Sequence, residues 1–170
     1  MNALSMATMD TPVGELTLVA GAIGLRAVLW PDERDGRVHV GDVTGGGPDA
    51  EAVLVAAREQ LREYFAGDRH EFDLPLDPVG TPFQQQAWQV LRTIPFGQTI
   101  TYGDQARRLG DVRKSRAVGA ANGRNPISIV VPCHRVVGST GSLTGFAGGL
   151  DAKAWLLRHE QGNPPPAGDA

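Results

Sequence analysis

Residues 127–136 read Ile-Ser-Ile-Val-Val-Pro-Cys-His-Arg-Val, an apolar run that stops at a proline and a cysteine. The β-branched residues of Ile127–Val131 predict a short buried strand. Pro132 fixes its own backbone angle and has no amide hydrogen, which suits a thiol presented at the end of a strand. This stretch therefore predicts a buried segment that ends in Cys133, the only cysteine of the chain.

The residues after Cys133 give its thiol a chemical context. A lone cysteine in an intracellular protein is usually a small core side chain, and the cysteine alone leaves this alternative open. His134 and Arg135 follow directly, however, and positive or proton-accepting neighbours lower the pKa of a thiol and raise its thiolate fraction. The tetrapeptide is therefore typical of an activated nucleophile.

Cysteine and histidine usage limits the other kinds of chemistry. One cysteine excludes an internal disulfide bond, and the four histidines lack the spacing of zinc ligands. We therefore expect no metal, no cofactor and a reducing, cytoplasmic environment. The chain does not open with a basic segment followed by an apolar run, and its apolar stretches are too short to span a bilayer, so no membrane partner is expected.

Helical patterns surround the cysteine segment in the second half of the chain. Thr81 and Pro82 form a typical helix start. The next two helices, the first with Gly110 at its C-cap, have the outline of a helix-turn-helix, which any helical hairpin also gives. A last helix is expected to be capped by Asp151 and to bury Trp155. The expected ranges are 102–109 and 114–121 for the two short helices, 138–149 for a flexible loop, 151–161 for the last helix and 162–170 for a disordered tail.

The first part of the chain combines strand patterns with one amphipathic helix. Apolar residues alternate on both sides of a turn at Val13-Gly14, and a polar loop with Gly45-Gly46-Gly47 is expected on the surface. Apolar residues at helical spacing then end at Phe65, so one helix should cover a small sheet. The expected ranges are 6–12, 15–20 and 25–30 for the strands, 31–48 for the loop, 49–65 for the helix and 70–80 for a last strand that runs into a linker.

Charge is divided unevenly along the chain. Residues 1–80 carry 6 arginines against 14 acidic residues, a net charge of −8, whereas residues 81–170 carry 10 basic against 5 acidic residues, a net charge of +5. Such a local basic stripe is what a phosphate-contacting surface requires, although a solvated helix face is the alternative for the stripe alone. The basic stripe covers residues 107–135 and contains one acidic residue, Asp111. Its basic residues are Arg107, Arg108, Arg113, Lys114, Arg116, Arg124 and Arg135.

The cysteine segment and its flanks resemble the O6-alkylguanine-DNA alkyltransferases, also called methylated-DNA–protein-cysteine methyltransferases. The likeness runs from about Thr81 to Glu160, and its motifs keep the order and spacing of that family. They are Phe83-Gln84-Gln85-Gln86-Ala87-Trp88, Ile94-Pro95-Phe96-Gly97, Thr101-Tyr102-Gly103, Arg116-Ala117-Val118-Gly119, Asn125-Pro126, Pro132-Cys133-His134-Arg135-Val136, Gly145-Phe146-Ala147-Gly148-Gly149-Leu150 and Trp155-Leu156-Leu157-Arg158-His159-Glu160.

This resemblance implies an α+β fold with two domains. A small ribonuclease-H-like sheet-plus-helix domain would occupy residues 1–75, and a mostly helical, winged-helix-like domain with a helix-turn-helix would occupy residues 81–161. The expected partner is double-stranded DNA that contains O6-alkylguanine. The protein is expected to act as a monomer without an obligate protein partner, and without the zinc that some members hold.

The resemblance also implies the catalytic roles. Cys133 would accept the alkyl group, His134 would take its proton through a water, and Glu160 would orient the imidazole. Tyr102 would hydrogen-bond the guanine ring and help to neutralise the leaving base, although a core tyrosine is the alternative for this residue alone. The same chemistry extends the expected substrates to O4-alkylthymine.

DNA contacts and the substrate pocket follow from the same resemblance. Arg116 corresponds to the arginine that enters the duplex when the damaged nucleotide is flipped out through the minor groove, with an ordinary phosphate contact as the alternative. Asn125 would tie its turn to the recognition helix, or serve only the turn. Phe146 and Ala147 stand where members commonly have tyrosine and serine, so backbone amides of this loop would contact O6. The expected DNA-binding set is Thr101, Arg116, Ala117, Gly119, Asn125 and Arg135, and the expected pocket set is Val136, Phe146, Ala147 and Gly148.

The product of such a reaction limits the protein to one use. A thioether on Cys133 has no electrophilic carbonyl for water to attack, so the protein should be consumed stoichiometrically. Two other classes remain as alternatives. One is a helix-turn-helix DNA-binding or lesion-marking protein, whose marker members lack the acceptor cysteine. The other is a cysteine hydrolase, which needs a direct dyad that adjacent residues such as Cys133 and His134 form only awkwardly.

Overall fold

The structure is a computed structural model that describes residues 3–162, and its chain divides into two compact units between Val79 and Gly80. The expected α+β class, a small sheet-plus-helix part followed by a mostly helical part, is confirmed. Residues 163–170, most of the expected disordered tail, lie outside the described residues. Within 3–162 no helix has the length and apolar character that a membrane crossing requires.

The first unit is built on an antiparallel sheet in the order β1-β2-β3, with β1 at Ser5–Thr11, β2 at Gly14–Ala20 and β3 at Leu25–Leu29. Gly14, at φ 107°, closes the hairpin between β1 and β2, a backbone angle that glycine adopts without a steric penalty. Helix α1, Gly47–Phe65, packs on β1 and β2. Its buried residues recur every three or four positions, as the sequence predicts: Ala50, Val53, Leu54, Ala57, Leu61 and Tyr64.

One expectation for this unit is largely met and another is wrong. The loop before α1 is mostly exposed, as expected, although Val38 and Val40 pack against the cluster of Leu4, Val19 and Ala27 and the Arg37 side chain is buried and bonded to the Glu33 carboxylate. The segment 70–80 forms no strand. It makes only an isolated parallel bridge from Leu76 to Leu25, since its prolines remove the amide donors that a longer ladder needs.

The second unit consists of short helices around two very short strands. Thr81 caps the first helix with its hydroxyl and forms a capping box with Gln84, as the Thr-Pro start predicts. The helices are α2 at Pro82–Leu91, α3 at Tyr102–Arg108, α4 at Ser115–Gly123 and α5 at Leu150–Glu160, with 3₁₀ turns at Val112–Lys114 and Cys133–Arg135 and strands β4 at Ile100–Thr101 and β5 at Val136–Val137.

The parallel pair of β4 and β5 places the start of α3 beside the cysteine segment. Ile100 pairs with Val136 and Thr101 with Val137, so Tyr102, the first residue of α3, follows a strand that is hydrogen-bonded to the residues just after Cys133. Thr101 caps α3 through a capping box with Asp104. Two residues far apart in the sequence, Tyr102 and Cys133, therefore flank one short sheet.

Buried amide groups lock α2, α3 and α4 together. Gln105 and Asn122 exchange two hydrogen bonds, of 3.0 Å and 2.8 Å, and Gln105 Nε2 also donates to the Ala87 carbonyl at 3.1 Å. The indole of Trp88 donates to the Ala121 carbonyl at 2.8 Å. Because buried amides are expensive to leave unpaired, this network fixes the angle between α3 and α4.

Some helix boundaries and one strand differ from expectation. Asp151 does not cap α5, because Gly149 occupies the N-cap and Asp151 lies in the first turn. Gly110 lies one residue beyond the C-cap of α3, which is Leu109. Trp155 is only half-buried and stacks on His159. Residues 127–131 are buried as expected but form tight turns, not a strand.

We expect Asn122→Ala to lower the free energy of unfolding by about 1–3 kcal/mol, since it leaves the Gln105 side chain buried without its amide partner. Chemical denaturation measures the loss. Replacing the exposed Gln89 on α2 by alanine is the matched control and should leave stability within about 0.5 kcal/mol of the parent. Equal effects of the two changes would contradict a locking role for the amide pair.

Candidate active site

The segment before the cysteine is folded into consecutive tight turns. Val130 N donates to Ser128 O at 2.9 Å across Ile129, which has φ 74°, so these residues form a γ-turn with a positive central angle. Cys133 N donates to Val131 O at 2.9 Å across Pro132, which has φ −84° and ψ 66°, the angles of an inverse γ-turn. A β-branched residue at positive φ is strained by about 1–3 kcal/mol. The nucleophile candidate is therefore presented by a strained turn.

Asn125 closes this turn from inside. Its side-chain oxygen accepts from Ile127 N at 3.0 Å, and its Nδ2 donates to the Val131 carbonyl at 2.8 Å, so one side chain holds both ends of the turn. Its own amide donates to Asn122 O at the end of α4. Asn125 is 1% exposed. Asn125 thus links α4 to the cysteine turn from the interior, in line with its expected role of tying its turn to this helix, and its place in the DNA-binding set stays a prediction.

The Glu160 carboxylate is hydrogen-bonded to the two residues that follow Cys133. Its carboxylate binds His134 Nε2 at 2.7 Å and receives two bonds from Arg135, of 2.7 Å from Nε and 3.0 Å from Nη2. Arg135 Nη1 also donates to the Ile94 carbonyl at 2.7 Å. Arg135, which the sequence counts in the basic stripe, is 6% exposed and lies in the interior, not on the exposed face of that stripe. Its charge is used to hold Glu160 in the interior.

These contacts decide the protonation of His134. Burial lowers the pKa of His134 below its ordinary 6.5, against the attraction of Glu160. Burial alone pushes the pKa of Glu160 up, but the bonds and charges of His134 and Arg135 outweigh burial and hold that pKa well below its ordinary 4.5. Glu160 is therefore a carboxylate and His134 a neutral imidazole that donates from Nε2. Its buried Nδ1, which has no hydrogen-bond partner within residues 3–162, keeps a lone pair that accepts a proton.

Lys153 places a buried ammonium near the thiol. Its Nζ donates to the Val136 carbonyl at 2.7 Å and to the Thr144 carbonyl at 2.9 Å, and none of its surface is exposed. Burial lowers the pKa of Lys153, and attraction to Cys133 opposes this shift. Cys133 itself is 7% exposed. A cation at this position favours the thiolate form of Cys133.

Tyr102 forms a wall of the same site. Its hydroxyl accepts from Thr144 Oγ1 at 3.1 Å, and Lys153 Nζ lies 5.9 Å from the centre of its ring. A Cβ added to Gly119 would lie 3.8 Å from two of its ring carbons, so α4 approaches the ring closely at Gly119. The structure thus brings Cys133, His134 and Glu160 together with Tyr102.

The other expected residues divide into outer and inner positions. Arg116 and Ala117 on α4 are exposed, and Arg116 is one turn before Gly119, on the helix face that carries the contact with Tyr102. Phe146, Ala147 and Gly148 are half-buried in the loop before α5. Val136, also expected in the pocket, lies in β5 with its side chain fully buried.

Two residues of the site escape sequence reasoning, Lys153 and Thr144. For Lys153 a signal existed: Lys153, Leu156, Leu157 and Glu160 follow the i, i+3, i+4, i+7 pattern of one helix face, and all four are buried. Charged residues at core positions of an amphipathic helix indicate a functional role. For Thr144 no signal existed, because its partner is far away in the sequence.

A groove in the first unit does not offer comparable chemistry. This groove of about 730 Å³ between β1 and α1 is lined largely by exposed charged side chains, among them Asp10, Arg58 and Arg62, and holds no nucleophile. Residues 3–162 contain no group of three or more His, Cys, Asp or Glu side chains that is arranged to hold a metal ion. The candidate active site is therefore the cluster around Cys133.

Comparisons with known proteins agree on one family. Residues 82–162 match the model described as the 6-O-methylguanine DNA methyltransferase DNA binding domain, and residues 4–78 match that of its ribonuclease-like domain. A methylated-DNA–protein-cysteine methyltransferase of Shigella flexneri is 47% identical over 88% of this chain and 91% of its own length. One of Methanosarcina acetivorans is 44% identical over 91% and 96%.

Solved structures give the same picture. The crystal structure of Mycobacterium tuberculosis OGT in complex with DNA superposes with a TM-score of 0.80 and 42% identity over 94% of both chains. An O6-methylguanine DNA methyltransferase from Methanococcus jannaschii superposes with a TM-score of 0.61 and 27% identity over 92% of both chains.

We expect stability to fall as the pH drops from 7.5 to 5, because His134 stays neutral in the folded state and takes up a proton on unfolding. A histidine whose folded pKa is lowered contributes its full stability above its ordinary pKa of 6.5, and this contribution is lost at up to about 1.4 kcal/mol per pH unit below that value. Glu160, whose folded pKa is also lowered, adds a further loss below its ordinary 4.5. Denaturation of the parent and of His134→Gln across this range measures the slope.

The His134→Gln variant should be less stable at pH 7.5 but should lose part of the slope between pH 6.5 and pH 5. An unchanged slope would mean that His134 does not titrate as the buried geometry requires.

Proposed function

The chain belongs to the methylated-DNA–protein-cysteine methyltransferase family and is an enzyme of DNA alkyl-transfer repair, and from this premise we propose that Cys133 takes the alkyl group from O6 of guanine in duplex DNA. One observation carries the proposal. A single buried thiol lies beside a neutral imidazole with a free Nδ1 lone pair, and Glu160 holds the other ring nitrogen. This arrangement supports a thiolate at Cys133 as the nucleophile, with the imidazole as the base that takes its proton.

The reaction balances with the groups present. The Cys133 proton passes through a water to His134 Nδ1, and the sulfur attacks the alkyl carbon in line with the C–O6 bond. The new bond is C–S, the broken bond is C–O6, and its electron pair stays on the guanine. His134 then returns the proton, which neutralises the departing base at a ring nitrogen. The products are guanine in DNA and S-alkylcysteine.

Lys153 assists the first half of this reaction. Its ammonium is buried and tied to two backbone carbonyls, so its position near Cys133 is fixed before the substrate enters. In such an interior a nearby cation stabilises the thiolate far more than it would in water. We infer that Lys153 stabilises the thiolate of Cys133, while Glu160 and Arg135 leave His134 able to accept the proton.

Tyr102 assists the second half. A phenol donates a hydrogen bond without bringing a charge into a closed pocket, so it suits the leaving guanine. Its place beside Gly119 and Thr144 puts it on the wall that faces the recognition helix. The half-buried loop residues Phe146, Ala147 and Gly148 are assigned to the pocket wall, where backbone amides contact O6. The same contacts accept O4-alkylthymine.

A base inside a duplex reaches this site only after it is rotated out of the stack, which costs a few kcal/mol. We assign α3 and α4 as a helix-turn-helix, with α4 in the minor groove and the exposed Arg116 inserted into the vacated position. Small residues at Ala117 and Gly119 allow the helix to approach the groove closely. The exposed cations Arg113 and Lys114 at the start of α4 suit phosphate contacts.

We propose the following further assignments. Residues 81–161 form the DNA-binding and catalytic domain, and residues 1–75 form a separate domain. The protein acts as a monomer. It acts once, because the thioether formed on Cys133 is not hydrolysed.

The proposal is tested by incubating the protein with duplex oligonucleotide that contains O6-methylguanine and measuring its intact mass. We expect the gain of one methyl group, mapped to the peptide with Cys133, and an end point of one methyl per protein. Cys133→Ser should gain none. Repeated turnover by an unmodified protein would favour a hydrolase, and tight binding of the lesion without any mass change would favour a lesion-marking protein.

Arg116→Ala should slow repair of duplex DNA by at least about tenfold while changing the reaction with free O6-benzylguanine base by less than about twofold. Only the duplex reaction requires base flipping, which costs a few kcal/mol. Losing about 1.4 kcal/mol of the stabilisation that Arg116 gives to the flipped state slows the reaction about tenfold. Rates of alkyl transfer to Cys133 are measured for both substrates. Arg58→Ala, an exposed arginine on α1, is the control, and equal losses on both substrates would refute the intercalating role.

A further inference from the structure

Thr144 contacts two candidate catalytic side chains from the loop between β5 and α5. Its hydroxyl donates to the Tyr102 phenol oxygen at 3.1 Å, and its backbone carbonyl accepts from Lys153 Nζ at 2.9 Å. We propose that Thr144 is a positioning residue that turns the Tyr102 phenol toward the leaving guanine. The inference rests on the proposed function and assigns to its pocket a residue that the chemistry described so far does not include.

The hydrogen-bonding capacity of a phenol explains the effect. Tyr102 has one O–H donor, and its oxygen accepts through lone pairs. When the Thr144 hydroxyl donates to that oxygen, the phenol proton must point elsewhere and stays free for the base. An oxygen that accepts one hydrogen bond also becomes a stronger donor in the next, because the bonds polarise each other. The Thr144 hydroxyl therefore both orients and strengthens the bond from Tyr102 to guanine.

The loop sequence makes this hydroxyl distinctive. Phe146 and Ala147, two and three residues further along, bring no hydroxyl group to the half-buried part of the same loop. Thr144 is exposed at the surface of the loop, yet its Oγ1 is directed at the Tyr102 phenol. The Thr144 hydroxyl thus supplies this loop with a side-chain hydrogen-bond donor toward Tyr102, although Phe146 and Ala147 supply none.

The two contacts of Thr144 serve different halves of the reaction. The contact with Lys153 uses the backbone carbonyl and survives any side-chain replacement. The contact with Tyr102 uses the hydroxyl and is removed by valine, which has nearly the same shape. The variant Thr144→Val therefore separates an effect on the leaving group from an effect on the nucleophile.

The test compares two reactions of the same thiol. Transfer from O6-methylguanine in duplex DNA requires a guanine leaving group, whereas carboxamidomethylation of Cys133 by iodoacetamide releases iodide and involves no base. We expect Thr144→Val to slow methyl transfer about 3- to 10-fold, the range for losing one hydrogen bond, and to leave the iodoacetamide rate within about twofold. Thr144→Ser, which keeps the hydroxyl, should restore the parent rate.

Tyr102→Phe supplies the second arm. If Thr144 acts through the phenol, adding Thr144→Val to Tyr102→Phe should cause no further loss of methyl transfer. The control is Thr140→Val, which removes a hydroxyl from the same loop whose contact is with Ser142 at 3.5 Å. Thermal unfolding of each variant confirms that the fold is kept, which the exposure of Thr144 favours.

Three results would overturn the proposal. A Thr144→Val protein that transfers methyl at the parent rate would show that the hydroxyl does not contribute to methyl transfer. Equal slowing of methyl transfer and of iodoacetamide alkylation would show that the residue merely holds the loop in place. Additive losses with Tyr102→Phe would show that it does not act through Tyr102. A parent protein that gains no methyl from DNA would instead refute the proposed function, and this role with it.

Discussion

A carboxylate that is buried beside a nucleophile must be neutralised, and the organisation of the active site follows from how Glu160 meets that requirement. Arg135 neutralises it with two hydrogen bonds, so the pair carries little net charge toward His134. Burial lowers the pKa of His134 more than the attraction of Glu160 raises it, so the imidazole stays neutral. The positive charge of Arg135 adds to the lowering. The guanidinium thereby supports the neutral form of His134, which the proposed proton transfer requires.

The same carboxylate connects the cysteine turn, α5 and the segment after α2 through hydrogen bonds. Through His134 and Arg135 it holds the 3₁₀ turn of the cysteine against α5, and Arg135 extends the tie to the Ile94 carbonyl after α2. Breaking a buried ion pair by removing one partner is strongly destabilising, so these ties are rigid. Rigidity is needed here because the neighbouring turn holds Ile129 at a positive φ, and such strain persists only where the surroundings over-determine it.

The sequence predicts most helices and the three-stranded hairpin sheet because their signals are local: alternation, caps and the spacing of apolar residues. It fails where a partner lies far along the chain. An apolar run such as Ile127–Val131 is equally consistent with a strand and with buried turns, and only the bonds from Asn125 distinguish them. Arg135 belongs to a basic stripe when counted along the sequence, yet Glu160, 25 residues away, draws it inside. The Thr144 hydroxyl contacts the Tyr102 phenol, 42 residues away, and the Thr144 carbonyl accepts from the Lys153 ammonium; no local pattern reveals either contact.

Helix α5 links the two halves of the reaction. Lys153 and Glu160 are seven residues apart, close to two full turns, so a single helix face carries both the cation near the thiol and the anion that orients the base. Lys153 also anchors Thr144, whose hydroxyl contacts Tyr102, so the leaving-group side depends on the same helix. An alkyl group added to the buried Cys133 enlarges a side chain that already has little free surface. Because the contacts of Cys133, His134 and Tyr102 share α5, the strain of that added volume would fall on the whole site at once.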